Sequence, residues 1–199
     1  MFDARLRPLI DPPLNAAARR LVTFGISANM LTLAGAVVGV AAAIAISRQC
    51  YMSALLLIIV NRLLDGLDGP VARLKGASEF GGYLDILCDF LFYVSVPVAF
   101  GIASAANRLP ALLLVAAFTL TAVSFLAFAA IAARMGEGDN QHGKKAFIYS
   151  TGVMEGGETI IFFIIMCVFP AYFPILAQLF AALCMLTVLQ RVLMVRHRF

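Results

Sequence analysis

Long apolar runs occupy most of this chain, and they constrain its fold more than any other feature. Of its 199 residues, 62% are hydrophobic and only 13% are charged. A soluble domain has about 45–50% apolar and about 25% charged residues. A water-soluble fold of this length buries too little of its chain to hide so much apolar surface. The sequence therefore predicts an integral membrane protein rather than a soluble helical bundle.

The apolar runs have the length of membrane-spanning helices, which need about 20 mainly apolar residues. Six segments approach this requirement: 30–47, 50–72, 81–105, 110–133, 153–170 and 173–194. Ahead of them, residues 3–22 mix Arg, Asp and Leu, which predicts an amphipathic helix lying at the membrane interface. The predicted fold is all-α, with this interfacial helix followed by a six-helix bundle over 30–194, in a single domain over 1–199.

The basic residues alternate between the two sides of the predicted bundle. The termini, the second-to-third link and the fourth-to-fifth link carry Arg5, Arg7, Arg19, Arg20, Arg73, Lys75, Arg134, Lys144, Lys145, Arg191, Arg196 and Arg198. The other three links carry Arg48, Arg108 and no basic residue. The positive-inside rule then predicts a multi-pass protein of the inner (cytoplasmic) membrane with both termini cytoplasmic. No basic stripe interleaved with aromatic residues is present, so nucleic acid is not an expected partner.

Four of the eleven acidic residues lie near the cytoplasmic ends of the second and third segments: Asp65, Asp68, Asp85 and Asp89. Each pair is spaced three or four residues apart and so shares one helix face. The short link makes the two helices antiparallel neighbours, so the four carboxylates are expected to converge. Their mutual repulsion would protonate some of them unless cations were present. Two Mg²⁺ or Mn²⁺ ions would balance the four charges, and such paired ions support displacement at phosphorus.

Glycines flank these carboxylates, at Gly66, Gly69, Gly76, Gly81 and Gly82. Small residues let membrane helices approach closely, and they equally leave room for a nucleotide against the backbone. Arg73 follows Gly69 by one turn and is expected at the mouth of the same site. A guanidinium there suits a diphosphate through paired hydrogen bonds, or it serves only as an orientation charge.

The stretch from Asp65 to Asp89 resembles the signature of the CDP-alcohol phosphotransferases, the class-I CDP-alcohol phosphatidyltransferases. The family pattern is Asp-x-x-Asp-Gly-x-x-Ala-Arg, a spacer, then Gly-x-x-x-Asp-x-x-x-Asp, and all eight fixed positions match when Gly81 is the later glycine. The spacer between Arg73 and Gly81 holds seven residues, where eight is usual. The Pro-Asn-x-x-Thr element of many relatives begins here with Ala28 in place of proline, followed by Asn29 and Thr32.

The resemblance implies transfer of a phosphatidyl group from CDP-diacylglycerol to an alcohol, with release of CMP, in phospholipid synthesis. It implies two Mg²⁺ or Mn²⁺ ions on Asp65, Asp68, Asp85 and Asp89, with Asp89 also acting as the catalytic general base. Ala72 would keep the helix crossing tight. Relatives are typically homodimers, so a homodimer is expected. The residues expected at the CDP part of the donor are Gly69, Ala72, Arg73, Ser78, Gly81, Asn29 and Thr32.

The acceptor alcohol is not determined by the sequence. Residues 134–159 are expected to shape its pocket. Lys144 and Lys145 suit a phosphorylated alcohol such as glycerol 3-phosphate, or they serve only to orient the protein in the membrane. Glu155 and Glu158 either bind acceptor hydroxyls or favour the start of a helix, where negative charge is stabilised. Inositol phosphate and serine are alternative acceptors.

A divalent-cation transporter is the alternative from a different class, because intramembrane aspartates also mark ion pathways. Two features speak against it. The carboxylates cluster at one membrane face, whereas a transporter site lies near the midplane, and Arg73 sits beside them. A noncatalytic nucleotide-lipid-binding protein is a third possibility, but it would be expected to lack at least one of the four aspartates.

Overall fold

The computed structural model describes residues 2–134, 154 and 156–198, and these form seven α-helices and two short 3-10 turns. The turns are Ala105–Asn107 and Pro170–Tyr172. The prediction of an all-α protein is confirmed over this part of the chain. The helices are α1 (Phe2–Thr23), α2 (Ala28–Ser47), α3 (Tyr51–Lys75), α4 (Glu79–Ala103), α5 (Arg108–Arg134), α6 (Gly156–Val168) and α7 (Phe173–Arg198).

Four stretches of the described chain are long and apolar enough to cross a membrane, and they indicate a multi-pass membrane protein. They are Ala28–Ser47, Glu79–Ala103, Ala105–Ile131 and Pro170–Arg196, and they match four of the six predicted segments. Helix α3 has 25 residues but carries five charged side chains, and α6 is apolar but has only 13 residues in the described chain. The count of six spans therefore stays a prediction, as does the amphipathic, interfacial character of α1.

The ends of α3 and α4 are set by local sequence signals. Helix α3 stops at Gly76, whose φ of +99° is a conformation that glycine adopts without a steric penalty. Helix α4 starts behind Ser78, whose Oγ accepts a hydrogen bond from the backbone N–H of Gly81 at 3.0 Å, as an N-cap does. The short link between them turns the chain back, so the end of α3 and the start of α4 lie at the same end of the bundle.

Helix α2 packs closely against both α3 and α4. The sequence predicts α3 and α4 as antiparallel neighbours; in the structure their side chains meet, and α2 is the main neighbour of each. The reason lies in the small residues of α2. A Cβ at Gly39 would lie only 3.0 Å from Cδ2 of Phe92 on α4 and 3.2 Å from Nδ2 of Asn61 on α3. Glycine at this position therefore lets three helices meet.

The main apolar core is formed by residues from each of the helices α2 through α7 and is rich in phenylalanine. Its largest fully buried side chains include Phe92, Phe100, Phe163, Phe173 and Phe180. The rings of Phe100 and Phe173 are stacked with centroids 4.3 Å apart, which ties α4 to α7. A second, smaller cluster of Ala18, Leu31 and Val71 joins α1 to α2 and α3. Helix α1 is thus packed against the end of α3 that carries the aspartates.

A candidate metal centre among three helices

Three carboxylates from two helices converge on one point. Asp65 and Asp68 of α3 and Asp85 of α4 each offer an oxygen, and these oxygens lie within 4.8 Å of one another. Asp68 is buried, and Asp65 and Asp85 are half-buried. Carboxylate oxygens are the ligands that Mg²⁺ and Mn²⁺ prefer, so the donor set fits such an ion. The structure brings these three residues together as their spacing predicts, and their role as metal ligands stays a prediction.

Asp68 is oriented by a residue from the third helix. The hydroxyl of Thr32 on α2 donates to Oδ2 of Asp68 at 2.8 Å. Both side chains are buried, with exposed fractions of 6% for Thr32 and 7% for Asp68. A hydrogen bond to a charged carboxylate in such surroundings holds the group in one orientation. The resemblance implies that Thr32 contacts the donor, whereas in the structure its hydroxyl is directed at a predicted metal ligand.

Asp89 lies beside the group formed by Asp65, Asp68 and Asp85 and has a cationic partner. Its Oδ1 accepts a hydrogen bond from Nη1 of Arg62 at 3.0 Å, and the same nitrogen lies 3.4 Å from Oδ2 of Asp65. Arg62 is not among the site residues predicted from the sequence. A signal was present, because Arg62 is a cation inside the predicted span 50–72, where an ionisable side chain marks a functional site.

Three of the residues expected at the donor meet at the start of α4. A Cβ on Gly81 would lie 3.0 Å from both Oδ1 of Asn29 and Oγ of Ser78. Glycine at position 81 therefore lets the first turn of α2, which carries Asn29, approach the first turn of α4. Asn29 and Gly81 are half-buried, and Ser78 is exposed, so this group forms part of the rim of the site.

The other residues expected at the donor lie on the last turns of α3. A Cβ on Gly69 would be 3.5 Å from Nη1 of Arg73, so no side chain separates the guanidinium from the backbone of this turn. Arg73 is exposed and Ala72 is half-buried. Their position at the same end of the bundle as the aspartates leaves the Arg73 guanidinium accessible to a ligand.

A small pocket lies among α2, α3 and α4 at the site. Its lining includes residues from each helix: Thr32, Gly35, Ala36, Asn61, Arg62, Asp65, Cys88 and Asp89. Two carboxylates and one guanidinium therefore face the same opening. Asp89 and Asp65 therefore lie side by side in this lining, next to the cluster of three carboxylates.

The residues expected at the acceptor are only partly placed. Lys144, Lys145 and Glu155 lie outside the described residues. Glu158 is half-buried in the first turn of α6. A Cβ on Gly156 would lie 3.4 Å from the hydroxyl of Tyr93, which follows Asp89 by one turn on α4. The start of α6 is therefore close to the part of α4 that carries Asp89.

Apolar helices of membrane-spanning length around clustered carboxylates define a multi-pass membrane protein with a site suited to divalent cations. The family model of the CDP-alcohol phosphatidyltransferases matches residues 25–196. The chain belongs to this family, as the resemblance of its aspartate motif indicates.

Two curated relatives illustrate the range of similarity. The chain is 44% identical over 193 residues to the inner membrane protein YnjF of Escherichia coli (strain K12). This match covers 96% of this chain and 94% of that protein. It is 36% identical over 101 residues to the archaetidylinositol phosphate synthase of Pyrococcus horikoshii, over 50% of this chain and 53% of that protein.

Solved structures share the fold. The Mycobacterium tuberculosis phosphatidylinositol phosphate synthase (PgsA1) with CDP-DAG bound matches with a TM-score of 0.67 and 23% identity over 92% of both chains. The same protein in complex with manganese and citrate also matches with a TM-score of 0.67, over 92% of this chain and 88% of that one. At this identity the likeness establishes the arrangement of helices.

Proposed function

We propose that the protein is a divalent-metal-dependent enzyme of phospholipid synthesis that transfers the phosphatidyl group of CDP-diacylglycerol to an alcohol and releases CMP. The observation that carries this proposal is the convergence of the Asp65, Asp68 and Asp85 carboxylates, with Asp89 beside them. Membership of the CDP-alcohol phosphatidyltransferase family supports the class of reaction. The donor is a nucleotide-linked lipid, which suits a polar site at one end of an apolar bundle.

The three converging aspartates are the residues proposed to hold Mg²⁺ or Mn²⁺. When bound, such ions neutralise the diphosphate of the donor and stabilise the departing phosphate. Thr32 orients Asp68 for this task through its 2.8 Å hydrogen bond. The resemblance implies two ions, with Asp89 as a further ligand near the second, and both the number of ions and this fourth ligand stay predictions.

The donor is proposed to bind at the end of the bundle where α3 stops and α4 starts. Arg73 is exposed there and presents a planar guanidinium that pairs with phosphate oxygens. Gly69 leaves the backbone beside it open, and Ala72 keeps the helix crossing tight. Asn29, Ser78 and Gly81 form the rim proposed to contact the cytidine, while the acyl chains stay in lipid.

Asp89 is proposed to act as the general base. Its carboxylate takes the proton from the acceptor hydroxyl as that oxygen attacks the lipid-side phosphorus of the diphosphate. The bond between this phosphorus and the bridging oxygen breaks, and CMP leaves with the electron pair. The lipid phosphate is then joined to the acceptor, and the proton resides on Asp89 until solvent removes it.

The acceptor is proposed to be a phosphorylated alcohol. The relative from P. horikoshii is an archaetidylinositol phosphate synthase, which supports inositol phosphate as the first acceptor to test, with glycerol 3-phosphate as the next. Lys144 and Lys145 are proposed to bind the acceptor phosphate, and Glu155 and Glu158 its hydroxyls. Glu158 lies in the first turn of α6, near the Tyr93 turn of α4, and this supports a contribution from this helix.

The protein is proposed to lie in the inner membrane, as the name of its E. coli relative states for that protein. Arg73 and Lys75 lie at the same end of α3 as the aspartates. The positive-inside rule therefore supports a site at the cytoplasmic face, with both termini cytoplasmic. The resemblance further supports a homodimer, which light scattering of the detergent-solubilised protein would test.

The test is CMP release by purified protein supplied with Mg²⁺ or Mn²⁺, CDP-diacylglycerol and a panel of acceptors. The panel is inositol phosphate, glycerol 3-phosphate, inositol, serine and choline. We expect one acceptor to support turnover and Asp89→Asn to abolish it. Glu79→Gln, which removes an exposed carboxylate from the same helix, should keep wild-type turnover. Full activity of Asp89→Asn would refute the assignment of the base, and metal flux into proteoliposomes without CMP release would favour a transporter.

A further inference from the structure

The outward side of α1 carries positive charge that the proposed reaction does not use. On the inward side Ala18 is fully buried, and Cδ1 of Leu14 lies 3.5 Å from the position that a Cβ on Gly66 of α3 would take. Arg19 and Arg20 are both exposed. One side of α1 is therefore packed against the bundle, and the other side presents two guanidinium groups to the surroundings.

These two guanidinium groups are not neutralised inside the protein. Among the residues that the structure describes, neither Arg19 nor Arg20 has an ion pair or a side-chain hydrogen bond. In the sequence of α1 no acidic residue follows Asp11, which precedes Arg19 by about two helical turns. Adjacent cations without a carboxylate partner attract anions, and guanidinium groups pair well with phosphate oxygens.

Lys75, the last residue of α3, adds a third cation to this side of the molecule. Its Nζ donates to the backbone carbonyl of Gly25 at 2.9 Å, in the turn that joins α1 to α2, and its side chain is exposed. Phe24, in the same turn, is 81% exposed. We call Arg19, Arg20, Phe24 and Lys75 the corner surface.

The corner surface lies at the depth of the lipid headgroups. Helix α2 is of spanning length and starts at Ala28, four residues after Phe24. A helix of about 20 residues just crosses the hydrocarbon of a bilayer, so the residues directly before it lie at the membrane boundary. An outward aromatic ring beside cations is typical of segments that lie in this boundary.

We propose that the corner surface binds the headgroups of anionic phospholipids. Charge complementarity selects this occupant, because three cations meet the phosphates of the leaflet while the ring of Phe24 enters the adjoining hydrocarbon. The surface is separate from the proposed donor site, which uses Arg73. The proposal requires that the protein lies in a membrane and does not depend on the reaction proposed above.

Fluorescence quenching by brominated lipids tests this directly. The chain contains no tryptophan, so Phe24→Trp places a single fluorophore in the corner surface. The variant is reconstituted in mixed bilayers of phosphatidylcholine and phosphatidylglycerol in which only one of the two lipids carries bromine, a short-range quencher. We expect phosphatidylglycerol to be favoured by about threefold or more at this position. The preference should disappear at about 1 M salt, because salt screens exposed charges.

Three further variants serve as comparison and controls. Arg19→Gln combined with Arg20→Gln in the Phe24→Trp protein should abolish the preference, while brominated phosphatidylcholine still quenches. Arg48→Gln removes an exposed cation at the opposite end of α2 and should leave the preference unchanged. Ile175→Trp places the fluorophore at a 66% exposed position in the first turn of α7. It should be quenched equally by both lipids with and without the arginine changes, which shows that the bundle is intact.

Three outcomes would overturn the proposal. The first is equal quenching of Phe24→Trp by the two lipids. The second is a preference for phosphatidylglycerol that survives the loss of both arginines. The third is quenching by neither lipid, which would show that the corner surface faces water or another protein. None of these readouts involves CMP release, so failure of the proposed reaction and failure of the lipid surface are distinguishable.

Discussion

Thr32→Val removes the hydroxyl that donates to Asp68 and nearly preserves the shape of the side chain. The hydrogen bond is 2.8 Å long, and both partners are more than nine-tenths buried. A hydrogen bond to a charged group contributes about 1.5–3 kcal/mol. At about 1.4 kcal/mol for each factor of ten, its loss should weaken Mn²⁺ binding by about tenfold to about a hundredfold. Residues that orient metal ligands have effects of the same size.

The assay is the Mn²⁺ dissociation constant of the purified variant, together with kcat and KM for CDP-diacylglycerol. Thr32→Ser keeps a hydroxyl and should bind Mn²⁺ within about threefold of the wild type, since the donor survives. Thr119→Val, in which an exposed hydroxyl on α5 is lost, is the matched control and should leave binding unchanged. Unchanged Mn²⁺ affinity in Thr32→Val with a raised KM for the donor would refute this reasoning and return Thr32 to the donor site.

Two further predictions concern the packing of α2 and the donor site. Gly39→Ala should lower turnover severalfold, because the new Cβ would lie 3.0 Å from Phe92 and 3.2 Å from Asn61. Gly35→Ala should have a mild effect on turnover, because its nearest contacts are at 3.8 Å. Similar CMP release by the two variants would contradict this account of the packing. Arg73→Ala should raise KM for CDP-diacylglycerol by about tenfold or more and leave Mn²⁺ binding unchanged, and an unaltered KM would show that Arg73 serves only orientation in the membrane.

The parts of the fold that follow from local sequence were predictable. The segments 30–47, 81–105, 110–133 and 173–194 are long apolar runs, and each corresponds to a helix of spanning length. The segment 50–72 is a helix as well, but it contains the charged residues Arg62, Asp65 and Asp68 of the candidate site, which lower its mean hydropathy. Segment length and hydropathy report the helices reliably, but they do not report which helices touch. The packing of α2 against both α3 and α4 depends on the direction in which Gly39 faces, which is a property of the tertiary structure.

The candidate site was predictable where its residues are close in sequence. Spacings of three and four residues placed Asp65 with Asp68 and Asp85 with Asp89 on common helix faces. The contacts from Thr32 to Asp68 and from Arg62 to Asp89 join residues 36 and 27 positions apart, and no local pattern encodes such pairs. They had to be seen in the folded chain.

The burial of Arg191 is another feature that the sequence pattern does not reveal. The sequence counts it among the basic residues of the C-terminal end, at the membrane surface. In the structure its guanidinium is only 8% exposed and donates to the backbone carbonyl of Thr121 at 2.9 Å and to Oγ of Ser124 at 3.1 Å, both on α5. It therefore ties α7 to α5 inside the bundle. Charge counting assigns every arginine to the surface, and only packing distinguishes the buried ones.

The anomalous difference density of crystals soaked with Mn²⁺ tests the central claim most directly, because it locates the ion without reference to turnover. The account predicts an anomalous peak within bonding distance of carboxylate oxygens of Asp65, Asp68 and Asp85. In crystals of Asp68→Asn this peak should be absent. A peak that persists in Asp68→Asn, or that lies away from these three residues, would contradict the account.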